Sequence, residues 1–331
     1  MLNFNSWNLG ICVPLTILGS TGYLPEHQKC LESLSLITDG TCCYSTDAQN
    51  PLDLSQFDRL REFSWTGLQS KEEFDALREC LGVNAHHLKS LSLHLSDWKT
   101  ADDFWFLDHS SIMEGGIRSD NFFASDIMGL QPNKSALSFP SLQSLSLSHL
   151  SFTSAIYELS MAFNFSGLRK LKLWNCQGTF DLLDNIVDSQ QIIRLDSLEL
   201  VVDAKQHTDL EEISTSKFLQ AFSGLRDLYL LLPILEWDVI ANGVMGHLST
   251  LKRLVLHART IDIDDESDRF EEQMDGDVDW NNELARLLVR ANCDMVGIGN
   301  LPAFMVSVPK TPDAPWHLLS RLTISFSSNP T

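Results

Sequence analysis

A hexapeptide pattern, Leu-x-x-Leu-x-Leu, recurs along this chain and constrains its fold more than any other feature. Its clearest copy lies within Gly167–Gly178, GLRKLKLWNCQG, where Leu168, Leu171, Leu173 and Cys176 stand at positions 1, 4, 6 and 9. Positions 4 and 6 are separated by the strand period of two, so their side chains share one face. Position 1 adds a third anchor, and Cys176 offers a small, weakly polar side chain where the chain must turn out of the strand. Further copies start at Leu31, Leu60, Leu88, Leu142, Leu195, Leu225 and Leu251, with a weaker one at Leu319. Successive first residues are 29, 28, 54, 26, 27, 30, 26 and 68 apart. Six of these eight intervals fall between 26 and 30, and 54 is twice 27. One such hexapeptide arises readily by chance, but nine at a near-constant period mark stacked units that bury one another.

The segments between copies carry helix signals. Ser70-Lys-Glu-Glu73 reads as a capping box, with Phe74, Leu77 and Leu81 following at helical spacing. Thr179 is expected to cap a helix presenting Leu183, Ile186 and Val187. Phe218, Leu219 and Phe222 form a third stripe ended by Gly224, and Trp237, Ile240 and Val244 form a fourth. Strand, helix and parallel strand at a fixed period wind into a right-handed coil. The expected fold is therefore α/β: a leucine-rich-repeat solenoid, with a curved parallel β-sheet on the concave face and helices and loops on the convex face. The helical stripes face the same leucines and are read as core.

Residues 1–30 show no periodicity and are expected to form an irregular lead-in or cap, with the repeat domain over 31–331. Two insertions interrupt it. Residues 97–139 hold Phe104, Trp105, Phe106, Phe122 and Phe123, expected to pack over the edge of the array. Residues 261–283 hold eleven Asp or Glu against Arg269 alone, and so many like charges predict an exposed loop. A helix over Trp280–Val289 and a weak strand near Met295–Ile298 resume the array. A proline-rich stretch from Pro302 to Pro315 then leads to the last copy.

A length of 331 residues exceeds the usual single core, a limit that a solenoid escapes by adding layers. The formal net charge of −20 opposes nucleic acid and anionic membrane, since phosphate contacts need clustered Lys and Arg. No apolar run approaches the length needed to span a bilayer. The seven cysteines are odd in number, contain no CxxC pair and include the adjacent Cys42 and Cys43, which favours a reducing compartment, cytoplasmic or nuclear. No metal site is expected. Within the acidic run, an EF-hand frame begun at Asp262 puts Ser267 where Gly is required and Gln273 where Glu is required. His86-His87 has no further ligand at metal spacing. No nucleophile elbow, phosphate loop, dinucleotide fingerprint or zinc-helix motif occurs, so no cofactor is expected and the chain reads as a non-enzyme.

What remains is a surface. Side chains at positions 3, 5 and 7 point away from the leucines. Position 5 reads Ser35, Ser64, Ser92, Ser146, Lys172, Glu199, Tyr229 and Val255; position 7 reads Ile37, Thr66, His94, Ser148, Trp174, Val201, Leu231 and His257. The early copies are small and hydroxylic, whereas from the Leu168 copy onward the face turns aromatic and aliphatic. Lys172, Trp174, Glu199, Val201, Asp227, Tyr229, Leu231 and His257 are the candidate protein-binding residues, because exposed Trp and Tyr anchor interfaces. The competing expectation is that other segments fold over this patch and bury it.

The run FPSLQSLSLSHLSF…FNFSGLRKLKLWNCQG…FLQAFSGLRDLYLLL…STLKRLVLHART resembles the leucine-rich region of fungal F-box proteins, over roughly residues 31–326 and most closely 139–260. Irregular repeats near 27 residues with Cys at position 9 are similar to that family's cysteine-containing repeats, although only Cys176 fills the position here. The resemblance implies that the repeats hold a protein to be ubiquitinated, as the substrate-recognition part of an SCF ubiquitin ligase receptor. Residues 1–30 are too short for the family's three-helix F-box, so the ligase adaptor subunit is an expected partner only if an F-box lies upstream of Met1. The alternative is a structural or regulatory interaction scaffold with no link to ubiquitin. A secreted repeat receptor is disfavoured by the lack of a signal peptide and of cysteine-framed caps.

Overall fold

A computed structural model of the chain describes residues 4–11, 13–38, 52–68, 70–95, 139–152, 156–202, 211–232, 237–258 and 293–298, together with 128, 287 and 290. They fall in two compact units, Met1–Ile192 and Ile193–Thr331. The insertions at 97–139 and 261–283, the helix over Trp280–Val289 and the Leu319 copy lie outside the described residues, save Met128, Phe139 and Leu287, all buried.

In the first unit, strands β1 (Phe4–Trp7), β2 (Ser33–Ile37), β3 (Glu62–Leu68), β4 (Ser90–Leu95), β5 (Ser144–Ser148) and β6 (Lys170–Trp174) pair in sequence order. Helices α1 (Leu15–Leu18), α2 (Tyr23–His27), α3 (Lys71–Asn84) and α4 (Ile156–Ala162) lie between them, and α5 (Thr179–Asp188) follows β6. In the second unit β7 (Ser197–Val201), β8 (Asp227–Leu232), β9 (Arg253–Ala258) and β10 (Met295–Ile298) also pair in order, with α6 (Glu211–Gln220) and α7 (Trp237–Met245) between strands. Within each unit the pairs are parallel, so the class is α/β.

The register aligns the hexapeptides rung for rung. Leu34, Phe63, Leu91, Leu145 and Leu171 stand opposite one another from β2 to β6, as do Leu36, Trp65, Leu93, Leu147 and Leu173. From β7 to β9 the same holds for Leu198, Leu228 and Leu254. No residue of the eight described triplets is more than 2% exposed. Burying a leucine completely contributes about 2 kcal/mol, so these faces supply most of each unit's stability. The ladder extends past the strand ends in the same way at each rung. The carbonyl of position 2 accepts both the position-2 and position-3 amides of the next rung: Glu32 from Arg61 and Glu62, Gln143 from Arg169 and Lys170, Arg226 from Lys252 and Arg253.

The strand expected near Met295–Ile298 forms as β10, and the same bonding frame sets its place in the array. The Lys252 carbonyl accepts from Asp294 and Met295, which makes buried Cys293 the position-1 residue; Val296 aligns with Leu254 and Ile298 with Leu256. Residues 4–7, inside the segment read as a lead-in or cap, likewise form a strand whose Trp7 aligns with Leu36.

Three local devices tie rungs to the segments between them. The capping box at Ser70 is complete: Ser70 Oγ accepts the Glu73 amide at 3.2 Å, and Glu73 Oε2 accepts the Ser70 amide at 3.1 Å. The other oxygen of this fully buried carboxylate accepts from Thr38 Oγ1 at 3.3 Å, and Thr38 in turn accepts the Trp65 indole N–H at 3.0 Å. A tryptophan in a leucine position needs such a partner for its N–H. The second device stands four residues before position 1. There the carbonyls of Asn84, Asn164 and His247 each accept two amides of the closing turn. The side chain of Asn84 reaches back a full rung to the Leu60 amide at 2.9 Å, and that of His247 to the Leu225 amide at 3.3 Å. The third is position 8, where Gly67, His149 and Asn175 have φ of 91°, 57° and 49°. A left-handed residue there turns the chain out of the strand.

Thr179 does not cap its helix. Gly178, left-handed at φ 79°, occupies the N-cap, and the Thr179 hydroxyl donates to the Cys176 carbonyl at 2.7 Å, inside the turn. The expected stripe shifts accordingly: Leu182, Leu183 and Ile186 are buried, and Val187 is only partly so. Helix α6 ends at Gln220, before Phe222, whose ring lies 4.8 Å from that of His247.

Candidate protein-binding face

The strand period that buries positions 4 and 6 leaves positions 3, 5 and 7 on the opposite face. In the first unit this outward face is built mostly of serine. Ser35, Ser64, Ser92 and Ser146 stand in register at position 5 from β2 to β5, each half-buried, and Lys172 continues the row on β6. Position 7 runs Ile37, Thr66, His94, Ser148 and Trp174. His94 and His149 stack with ring centroids 5.0 Å apart, and His149 Nδ1 lies 2.9 Å from Ser148 Oγ. Burial, reinforced by His149, holds the His94 imidazole below the usual histidine range and therefore neutral near pH 7. Trp174 is 39% exposed, and the Lys172 ammonium sits 5.9 Å from its ring centroid, within cation–π range.

Behind Trp174 the turn is fixed by Cys176. Its thiol donates to the Leu147 and Trp174 carbonyls at 3.4 Å, and burial pushes its pKa up to about 12. A thiol held so firmly protonated is a packing and turn residue, with none of the thiolate character that nucleophiles need.

In the second unit the outward face carries Glu199, Tyr229 and Val255 side by side at position 5, and Val201, Leu231 and His257 at position 7. All six are half-buried, which leaves one side of each ring or branched chain accessible. At position 3, Asp227 receives a bidentate pair of hydrogen bonds from Arg253, at 2.6 and 2.7 Å. The carboxylate raises the guanidinium pKa through hydrogen bonding first and charge second. A planar fork of this kind orders both side chains and screens the aspartate from a ligand.

Each candidate from the sequence therefore stands on an outward face: Lys172 and Trp174 in the first unit, and Glu199, Val201, Asp227, Tyr229, Leu231 and His257 in the second. Sequence reasoning passed over two members of these faces. Lys170, exposed at position 3 of β6, and Arg253, the partner of Asp227, both follow from the period-two rule, which puts position 3 on the same face as positions 5 and 7. Among the described residues, no group of three or more His, Cys, Asp or Glu side chains converges as a metal site would require, and no helix is long and apolar enough to cross a membrane. In comparisons with known proteins, no protein-family model and no curated protein matches the chain.

Proposed function

We propose that this chain is a leucine-rich-repeat module that captures a protein partner on the outward face of its strands, as the substrate-recognition part of an F-box-type ubiquitin ligase receptor. The observation that carries the reading is the contrast between the two faces of each strand from β2 to β9. One is sealed to 2% exposure or less, whereas the other presents Trp174 at 39% exposure and half-buried Tyr229, Val255 and Leu231. Aromatic and aliphatic side chains left partly open on a rigid scaffold are what interfaces use as anchors. The repeat spacing and the resemblance to fungal F-box repeats support the ligase assignment.

The test has two arms. Partner capture from the native source is compared between the unaltered chain and Trp174→Ala/Tyr229→Ala, with circular dichroism to verify folding. Loss of the captured protein is the expected result, and unchanged capture overturns the binding assignment. Separately, the partner's ubiquitination is measured with and without the chain. A partner that is captured but never ubiquitinated leaves an interaction scaffold as the correct reading.

A further inference from the structure

Two imidazoles lie face to face where β4 and β5 end. His94 closes the outward row of β4 at position 7, and His149 follows β5 at position 8; their centroids are 5.0 Å apart and their planes 17° from parallel. The left-handed backbone of His149 turns the chain out of β5, and its amide donates to the Trp174 carbonyl at 2.8 Å. On the ring, Nδ1 lies 2.9 Å from Ser148 Oγ, and Nε2 lies 3.4 Å from the Asn175 carboxamide nitrogen. An amide nitrogen only donates, so Nε2 accepts, which a neutral ring alone can do. The turn is bonded onward through Gln177: its amide donates to the Leu150 carbonyl and its carbonyl accepts the Phe152 amide, both at 2.8 Å. The stack thus closes a tie between β4, β5 and β6 beside the backbone of the exposed Trp174.

We propose that the His94–His149 stack is a proton-operated latch on the Trp174 end of the outward face, closed while both rings are neutral and opened when acid charges them. Two cationic rings at this separation repel, and among the described residues no carboxylate stands beside them. On β3, position 7 is Thr66, and the acidic residue Glu62 stands four residues earlier, about 13 Å along the strand. The remaining outward residues of β4 and β5 are serines, and the charged residues of β6 are the cations Lys170 and Lys172. β7, next along the chain, has Val201 at position 7 and its acidic residue Glu199 two residues earlier. The turns over 149–152 and 175–178 add no ionisable group but the buried, protonated thiol of Cys176. Burial, reinforced by His149, holds His94 below the usual histidine range. Its contribution to the closed state is therefore complete above the unfolded value of about 6.5 and is lost as pH falls through the folded value below it. The latch stands apart from the protein-binding reading; only its consequence, a partner held at neutral pH and released in acid, rests on that reading.

The experiment is amide hydrogen exchange of the full chain at His149, Phe152 and Gln177, corrected for intrinsic rate, at about pH 7.5 and 5.5. Protection of these turn amides should fall about threefold or more at the lower pH, while the amides of β4 keep theirs. His94→Phe keeps an aromatic face against His149 with no site for a proton, and the pH difference should vanish. Asn175→Asp supplies the missing carboxylate to His149 Nε2, and there the acid loss should vanish or reverse. The proposal is overturned by equal protection at both pH values, by an undiminished acid loss in His94→Phe or Asn175→Asp, or by an equal loss along β4, which would show unfolding of the unit as a whole. Backbone exchange is read without a partner, so failure of the latch is distinct from failure of the protein-binding reading, which the capture experiment tests.

Discussion

Asn84 offers the sharpest test of how the rungs are held together. Its carboxamide lies fully buried at the end of α3; Oδ1 accepts the Leu60 amide at 2.9 Å, and Nδ2 donates to the Phe57 carbonyl at 2.7 Å and the Cys80 carbonyl at 2.9 Å. Leu60 and Phe57 are themselves 0% exposed, so water does not readily replace a lost partner. Asn84→Ala strands one N–H and one C=O, each at about 1–3 kcal/mol, while Cys80 sits within the helix and loses least. The expected destabilisation is about 3–4 kcal/mol, roughly 6–16 °C in Tm for a unit of this size. Asn164 stands at the equivalent place but is exposed, and its Nδ2 reaches the Pro140 carbonyl at only 3.3 Å. Asn164→Ala should therefore cost less than about 1 kcal/mol. Urea unfolding of both variants, followed by hydrogen–deuterium exchange at the Leu60 amide, separates the cases. Accelerated exchange at Leu60 with a large loss of stability is expected for Asn84→Ala alone. A loss below about 1 kcal/mol there, or equal losses at the two sites, would refute the idea that a buried side chain closes the rung.

Other substitutions probe the turns and the second unit. A Cβ at Gly67, with φ 91°, would lie 2.0 Å from the Thr38 carbonyl oxygen, whereas one at Gly10, with φ 63°, would meet nothing within 4 Å. Gly67→Ala should cost about 2–5 kcal/mol through strain plus displaced backbone, against about 1–2 kcal/mol for Gly10→Ala, as read by chemical denaturation. His247 is held neutral by burial: Nε2 donates to the Leu219 carbonyl at 2.9 Å and Nδ1 accepts the Leu225 amide, although the Leu219 bond partly counters the depressed pKa. Because its folded pKa lies below the unfolded value of about 6.5, its contribution is complete above that pH and lost as pH falls through 6.5 towards the folded value. Hydrogen exchange at the Leu225 amide should therefore show less protection, corrected for intrinsic rate, at pH 5.5 than at 7.5, and in His247→Leu that pH difference should vanish.

How much of this was legible in the sequence depends on which interaction sets each feature. Burial of alternate residues is local and periodic, so the strands at Leu34, Leu91, Leu145 and Leu171 could be placed by their leucines. The capping box at Ser70 was legible for the same reason, since both partners lie within four residues. β1 escaped because Asn5 and Trp7 stand in register with Leu34 and Leu36, where the pattern asks for leucine; the strand at Met295–Ile298 was expected, but Cys293 as its first anchor was not, because cysteine fills the place of leucine. β1 and the Cys293 anchor are recognised by backbone bonding to a neighbouring strand, which no single-strand pattern reveals. Thr179 misled because a hydroxyl can serve a cap or the preceding turn with similar ease. The choice fell to Gly178, whose left-handed backbone reaches a geometry that threonine adopts only at a cost. On the outward face, period two told which residues face out, while the fork between Arg253 and Asp227 depended on the register of two strands 26 residues apart.

The two faces of each strand also divide the consequences of mutation. A leucine at position 4 or 6 touches the rungs on either side, so its loss costs about 2–5 kcal/mol and spreads along the stack. An outward residue at position 5 or 7 is half-buried at most positions and loses little packing when shortened. Trp174, with 39% of its surface already in water, is the clearest case. A chain built this way can vary its outward residues with little loss of stability, because the sealed face holds the rungs in place. That separation explains how a serine-rich stretch and an aromatic stretch coexist on otherwise matching rungs. It also means that a lost partner, after substitution of Trp174 or Tyr229, reports the surface itself and not a collapsed core.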